Sequence, residues 1–274
     1  MKKFADTIIR LAVFAIIFVA MQIVAGVVAA VMPHSDDASL QLFVGYTLSM
    51  VLTFVAVKLY TSRIKPAPRS VMKSIAGFNP VITLAGVIFM VALSVVLSPL
   101  KEVMSVDNSA YNDSVWTLLT VTIIAPIFEE ILFRGKLYNI LNVSVSPTLS
   151  VLLSSLIFGV LHFELAVFVS CIPLGFLFGF VYLRTRSIIA PIILHVCNNA
   201  LAYALIVLSY NEQSLLELVD SKTNYILIYA VSAVVVLAGL VRFVTFIARY
   251  GKRCADVEVA KSATVDDAGE VASE

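Results

Sequence analysis

The sequence is poor in charged residues and in cysteine. Asp, Glu, Lys and Arg make up only 14% of the 274 residues, against about 25% in a typical soluble domain. Hydrophobic residues make up 60%, which is more than the roughly 45–50% that a soluble fold of this length can hide from water. A water-soluble enzyme is therefore excluded. The three cysteines, Cys171, Cys197 and Cys254, form no C-x-x-C pair, so neither a disulfide framework nor a thiolate zinc site is indicated.

Apolar runs long enough to cross a bilayer recur along the chain. A hydrocarbon core about 30 Å thick requires about 20 apolar residues per helix. On this basis the sequence predicts an all-α fold, a polytopic transmembrane helical bundle of about eight spans. The predicted segments are 8–32, 39–60, 80–99, 115–133, 147–166, 168–183, 188–208 and 224–246.

The basic residues lie mostly on one side of these predicted spans. With both termini in the cytoplasm, only Lys101 and Lys222 among the 19 Lys and Arg residues fall on the outer side. Because cytoplasmic loops carry an excess of Lys and Arg, we predict cytoplasmic termini and a multi-pass protein of the cell membrane. Residues 1–250 are predicted to form one membrane domain. Residues 251–274, which are small, polar and acidic at the end, are predicted to form a disordered cytoplasmic tail.

Few polar side chains remain inside the predicted spans. A charged group at the bilayer centre costs about 2.5–3.5 kcal/mol in insertion assays, so such residues usually face the interior of the bundle and serve a function. Any one of them alone could instead be a snorkelling side chain or part of a structural ion pair. The residues are Glu129, Glu130, Arg134, His162, Glu164, His195, Asn198 and Asn199.

The spacing of these residues suggests separate roles. Adjacent positions of an α-helix point about 100° apart, so Glu129 and Glu130 face different directions. Glu130 precedes Arg134 by four residues and can pair with it on one face, which leaves Glu129 free to act as a base. His195 and Asn199 are also four residues apart, so both can donate to one oxygen, as an oxyanion hole requires.

Three motifs follow one another in this part of the chain. E-E-x-x-x-R begins at Glu129, F-x-x-x-H runs from Phe158 to His162, and H-x-x-x-N runs from His195 to Asn199. In this order they resemble the CPBP intramembrane endopeptidases, the family of the type II CAAX prenyl proteases and the bacteriocin-immunity (Abi) proteins.

The resemblance covers residues 124–199 and implies hydrolysis of a peptide bond within the membrane. By this resemblance Glu129 activates a water molecule and His162 shares that water. His195 and Asn199 would then stabilise the tetrahedral oxyanion. A glutamate removed from water is also a suitable general base near neutrality. The supporting residues are Glu130, Arg134 and Phe158.

Zinc is the alternative to a mechanism based on glutamate alone. Two histidines and a glutamate form a legitimate catalytic zinc set, which here is Glu129, His162 and His195. Against zinc, the sequence has no H-E-x-x-H motif, and H-x-x-x-N offers an amide where zinc prefers an imidazole or a carboxylate. We therefore predict a metal-free mechanism with no cofactor and keep zinc as the alternative.

The expected partners are the lipid bilayer and a peptide or protein substrate, with no nucleic acid. The substrate would be a lipidated C terminus of the CAAX type, or a leader peptide or small membrane peptide. The alternative function is a non-catalytic membrane regulator or bacteriocin-immunity protein of the same family, which binds a membrane partner. A proton-coupled transporter would carry inverted repeats, and the sequence shows none. The sequence leaves the oligomeric state open.

Overall fold

The fold is described from a computed structural model of the chain. The structure describes residues 2–31, 38–63, 78–104, 112–162, 165–208 and 213–270. These ranges contain helices and no strand, and the predicted all-α polytopic fold is confirmed. Glu164 and residues 271–274 lie outside the described residues.

Twelve α-helices, numbered in chain order, make up most of this part of the chain. Two π-helical segments, π1 (Thr120–Ile124) and π2 (Ile131–Leu137), join α5, α6 and α7 into one continuous helical run. The α-helices are α1 (Lys2–Val31), α2 (Ala38–Arg63), α3 (Pro80–Val96), α4 (Ser98–Val103), α5 (Val115–Leu119), α6 (Ala125–Glu130), α7 (Tyr138–Leu141), α8 (Pro147–Val160), α9 (Leu165–Thr185), α10 (Ile189–Val207), α11 (Leu215–Val219) and α12 (Lys222–Glu270).

Eight apolar helical segments lie at the predicted places. Two of them, Pro80–Val96 and Pro147–Val160, are shorter apolar helices, and six are long and apolar enough to cross a membrane. The protein is an integral multi-pass membrane protein. The number of spans, the side of the termini and the disordered tail remain predictions. The six long segments are Phe4–Val28, Ala38–Arg63, Val115–Leu141, Val167–Thr185, Ile189–Val207 and Lys222–Phe246.

The predicted end of the fourth segment, at residue 133, is wrong. The helical run continues without a break over Val115–Leu141, which we call the central helix. Two polar residues beyond residue 133 are buried in it, where Arg134 pairs with Glu130 and the Asn139 amide donates to a backbone carbonyl of the same helix. Glu129 therefore lies inside the helix, about 18 Å before its end at 1.5 Å per residue.

The predicted fifth segment, 147–166, is too long. The Ser146 side chain accepts a hydrogen bond from the Leu149 N–H, and Pro147 occupies the first helical position, where its missing N–H costs nothing. The helix then ends at Val160, and His162 lies in the turn that follows. At 14 residues, α8 is about 21 Å long, which is shorter than a hydrocarbon core of about 30 Å.

Two apolar clusters contact the polar residues of the motifs. The first joins α1, α2, the central helix and α8, and it contains Phe133 and Phe158. The second joins α3, α9 and α10, and it contains Phe178. Phe158 and Phe178 both contact Arg134 and His195. Arg134 and His195 therefore contact both clusters.

Candidate active site

Glu130, Arg134 and His195 form a buried polar cluster. Their exposed fractions are 0%, 1% and 4%. Arg134 Nη1 donates to Glu130 Oε1 at 2.9 Å, as the four-residue spacing predicts. His195 Nδ1 lies 3.0 Å from the same oxygen. The Glu130 carboxylate therefore fixes both the guanidinium and the orientation of the imidazole ring.

The Arg134 guanidinium is held from several directions. Its Nη2 donates to the Gly175 carbonyl at 2.8 Å. Its Cζ lies 5.0 Å from the centre of the Phe158 ring and 5.8 Å from that of Phe178, within the range of a cation–π contact. A Cβ atom at position 175 would lie 2.9 Å from Nη2. The absence of a side chain on α9 at this point therefore permits the contact.

Glu129 faces the other nitrogen of the same histidine. Its Oε2 lies 3.7 Å from His195 Nε2, while its Oε1 accepts a hydrogen bond from Tyr46 Oη at 2.7 Å. A separation of 3.7 Å is too long for a direct hydrogen bond, and a water molecule beside the two atoms could contact both of them. The two glutamates thus lie at opposite nitrogens of one imidazole, and only Glu130 contacts it directly.

His162 flanks this cluster through an aromatic ring. Its Nδ1 lies 2.9 Å from the Phe158 carbonyl oxygen. Its ring packs edge-on against Phe158 with the centres 4.8 Å apart, and the His195 ring lies 5.7 Å from the same Phe158 ring. Among the contacts of the described residues, no hydrogen bond joins His162 to Glu129. The predicted sharing of one water by these two residues remains a prediction.

Asn199 contacts the backbone of the central helix. Its Nδ2 donates to the Val121 carbonyl at 3.0 Å, and its Oδ1 accepts from Asn198 Nδ2 at 3.1 Å. Val121 belongs to π1, and π-helical segments inside α-helices occur frequently at functional sites. Asn199 thus ties α10 to the central helix one turn beyond His195. Its predicted role as an oxyanion donor remains a prediction.

Sequence reasoning missed Tyr46, Phe178 and Gly175 of this site. Tyr46 lies on α2, outside the three motifs, and nothing in the local sequence distinguishes it from other tyrosines. Phe178 packs against His195 with the ring centres 5.0 Å apart. Gly175 and Gly179 lie four residues apart on α9, and such a spacing of small residues indicates close helix packing in membranes. Of these residues, only Gly175 is marked by a signal that can be read from the sequence.

The described side chains do not fit the zinc alternative. Within the described ranges, no three His, Cys, Asp or Glu residues are arranged to hold one metal ion. A catalytic zinc site needs three protein ligands, and of the predicted set only Glu129 and His195 approach each other, without His162. We therefore derive no step through a metal. The metal-free mechanism remains a prediction.

Residues 111–201 match the family of the type II CAAX prenyl endopeptidases described as Rce1-like. The resemblance predicted from the motifs is confirmed. The Rce1-like segment contains all three motifs, together with the central helix from α5 onward, α8, α9 and most of α10.

Two relatives are similar to this chain over less than a third of its length. One is YdiL of Bacillus subtilis (strain 168), named as a membrane peptidase, which is 35% identical over 82 residues, or 30% of this chain and 34% of the relative. The other is the membrane-embedded CAAX protease MroQ of Staphylococcus aureus (strain USA300), which is 33% identical over 85 residues, or 29% of this chain and 34% of the relative. The chain thus spans about a third of the length of these curated relatives. No solved structure matches the chain.

Proposed function

We propose that this protein is an intramembrane endopeptidase that hydrolyses a peptide bond near the membrane surface with water activated by Glu129. One observation carries the proposal. The Glu129 carboxylate faces the His195 imidazole across 3.7 Å, and a buried ion pair holds that imidazole from behind. The match of residues 111–201 to an endopeptidase family supports the same reaction class.

In the proposed reaction, a water molecule lies beside Glu129 Oε2 and His195 Nε2, within hydrogen-bond reach of both. Glu129 takes one proton from this water while the water oxygen attacks the carbonyl carbon of the substrate. The C–N bond then breaks, and Glu129 passes the proton to the leaving nitrogen. The products are a new carboxyl terminus and a new amine, so no other reactant is needed.

His195 is placed to assist this proposed reaction. When its Nε2 carries a proton, the ring can donate to the developing oxyanion. Glu130 then plays the part of the third group that orients a catalytic histidine.

His162 and Asn199 have further roles in the proposed reaction. Asn199 follows His195 by one turn of α10, so its amide could donate to the same oxyanion after exchanging its bond to the Val121 carbonyl. His162 borders the same Phe158 ring as His195 and would contact the water or the substrate. Catalytic hydrogen bonds often tighten only when substrate binds.

The proposed substrates are membrane-bound peptides at the cell membrane. The family description and the name of MroQ both refer to CAAX cleavage, which supports a lipidated C terminus of that type. A leader peptide or small membrane peptide is the other candidate. The alternative, a regulator or immunity protein that acts by binding, would not require a carboxylate facing a buried histidine. We therefore favour the peptidase.

Glu129→Gln tests the peptidase directly. This change keeps the shape of the side chain and removes the proton acceptor, so turnover should fall by about 10²–10⁴. The protein is reconstituted in lipid nanodiscs with a pool of peptides from bacterial membranes, and new carboxyl termini are counted by mass spectrometry. The matched control is Glu217→Gln, the same change at an exposed residue outside the spans, which should retain full activity. Equal cleavage by the wild type and Glu129→Gln would exclude the proposed mechanism.

Chelation tests the metal-free mechanism. Exhaustive treatment with a chelator should leave the turnover of the wild type unchanged, and metal analysis of the active protein should find no stoichiometric zinc. Turnover that disappears with chelator and returns only with added zinc would make Glu129, His162 and His195 the metal ligands. The peptidase assignment would survive that result, and the glutamate mechanism would not.

A further inference from the structure

Tyr46 lies outside the Rce1-like segment and contacts the proposed base. Its Oη donates to Glu129 Oε1 at 2.7 Å, from a helix 83 positions earlier in the chain. We propose that Tyr46 is a positioning residue that holds Glu129 Oε1, so that Oε2 faces His195 and the reacting water. This inference rests on the proposed function, and it adds α2 to the elements that build the site.

The two glutamates show why such a residue is needed. Glu130 is fixed by two partners, Arg134 and His195. Among the described residues, Glu129 has one hydrogen bond, from Tyr46, and its approach to His195 is longer than a hydrogen bond. A glutamate has several rotatable bonds, and the two oxygens of its carboxylate are rigidly linked. A donor at one oxygen therefore sets the direction of the other.

Tyr46 is itself held firmly enough for this role. Its ring packs against the first apolar cluster, together with Phe54 of the same helix and Phe128 of the central helix. A tyrosine has an apolar body and a polar tip, so its ring can be fixed by packing while its hydroxyl reaches a polar partner. The position of the hydroxyl is therefore set by the contact between α2 and the central helix.

A phenol is also a suitable donor for a catalytic base. It donates a hydrogen bond without adding a charge. A lysine or arginine at this place would form a charge-assisted bond about twice as strong as a neutral one and would hold the proton acceptor in an ion pair. The neutral donor orients Glu129 and leaves it available to the water.

Tyr46→Phe tests the inference, because it keeps the ring and removes the donor. With the peptide that the wild type cleaves fastest in the membrane-peptide pool, kcat should fall by about 10- to 100-fold, as expected for a misplaced catalytic group, with little change in KM. Tyr60→Phe is the matched control, since it makes the same change on the same helix about 21 Å away. It should leave kcat unchanged.

The effect of Tyr46→Phe in a Glu129→Asp variant distinguishes the positioning of Glu129 from a general structural role of Tyr46. Glu129→Asp keeps a carboxylate but shortens it, so the hydrogen bond to Tyr46 is lost. In that background Tyr46→Phe should lower kcat by less than about twofold, because the two changes remove the same interaction. Equal losses in both backgrounds would show that Tyr46 acts on the fold as a whole and would overturn the inference.

A spectroscopic measurement reads the hydrogen bond without turnover. The infrared difference between the wild type and Glu129→Gln isolates the carboxylate band of Glu129, and Tyr46→Phe should shift that band. An unchanged band would overturn the inference. If Glu129→Gln is inactive and Tyr46→Phe keeps the full kcat, the positioning role fails and the proposed function stands. If Glu129→Gln stays fully active, the proposed function fails and the positioning role fails with it.

Discussion

The outermost helices of this protein are more apolar than the helices that carry the site. The mean hydropathy reaches 2.7 in Phe4–Val28 and 2.4 in Lys222–Phe246, but only 1.7 in Val115–Leu141 and Ile189–Val207. Burial runs in the opposite direction. Only 11% and 6% of the two apolar stretches are buried inside the protein, against 39% and 28% of the two helices of the site.

Hydropathy and burial run in opposite directions because lipid, and not water, surrounds the helices. Lipid tails are as apolar as leucine, so apolar surface can remain outside at little cost, whereas polar groups in the hydrocarbon need partners within the protein. Glu130 Oε1 finds such partners in Arg134 and His195, and the Phe158 and Phe178 rings contact both of these side chains. The helices with the weakest apolar signal therefore carry the chemistry, and those with the strongest signal contact lipid.

The largest effect on stability is expected from Glu130→Gln. This change leaves the Arg134 guanidinium buried without its counter-charge, and breaking one side of a buried ion pair costs about 3–5 kcal/mol. We expect loss of folded protein, read as a lower yield and a lower melting temperature. Fluorescence of Trp116, the single tryptophan, reports the transition from its place beside Phe43.

The control for this prediction lies at an exposed position. Glu217 accepts a hydrogen bond from the Ser214 N–H in a capping box, and glutamine can fill the same role. Glu217→Gln should therefore leave the melting temperature unchanged. A Glu130→Gln protein that melts like the wild type but has lost turnover would place Glu130 in the chemistry and not in holding the fold.

The local part of the site could be predicted from the sequence, and the tertiary part could not. The Glu130–Arg134 pair follows from helical geometry alone, because both residues lie on one helix four positions apart. The contact between Tyr46 and Glu129 depends on how two distant helices pack, and no periodicity encodes it.

The helix ends were mispredicted for a related reason. The predicted fourth segment stops at residue 133, just before the polar Arg134, whereas the central helix continues to Leu141. The burial of Arg134 depends on a partner on another helix, the Gly175 carbonyl on α9, which becomes available only after the helices pack. Polarity marks a loop only where the neighbouring helices do not satisfy it.

A smaller effect on stability is expected from Gly175→Ala on α9, next to the buried Arg134. The added Cβ would lie 2.9 Å from Arg134 Nη2 and 3.2 Å from Ser155 Cβ. The end of an arginine usually moves easily, but this guanidinium is fixed by Glu130, the Gly175 carbonyl and two aromatic rings. Overpacking of a tight interior costs about 1–3 kcal/mol. The melting temperature should fall, and an unchanged value would show that Arg134 has room to move.

The smallest effect, and one of opposite sign, is expected from the same glycine-to-alanine change on α1, one of the two outermost helices. Gly26 lies on α1, and a Cβ added there meets nothing within 4 Å. Glycine inside a helix is less favourable than alanine by about 0.5–1 kcal/mol, so Gly26→Ala should raise the melting temperature slightly and leave turnover unchanged. The two glycine variants thus isolate packing from helix propensity, because the chemical change is identical. If Gly26→Ala destabilised the protein as much as Gly175→Ala, another helix or a second protein would have to cover this face of α1, and the contrast between a packed interior and lipid-facing helices would fail there.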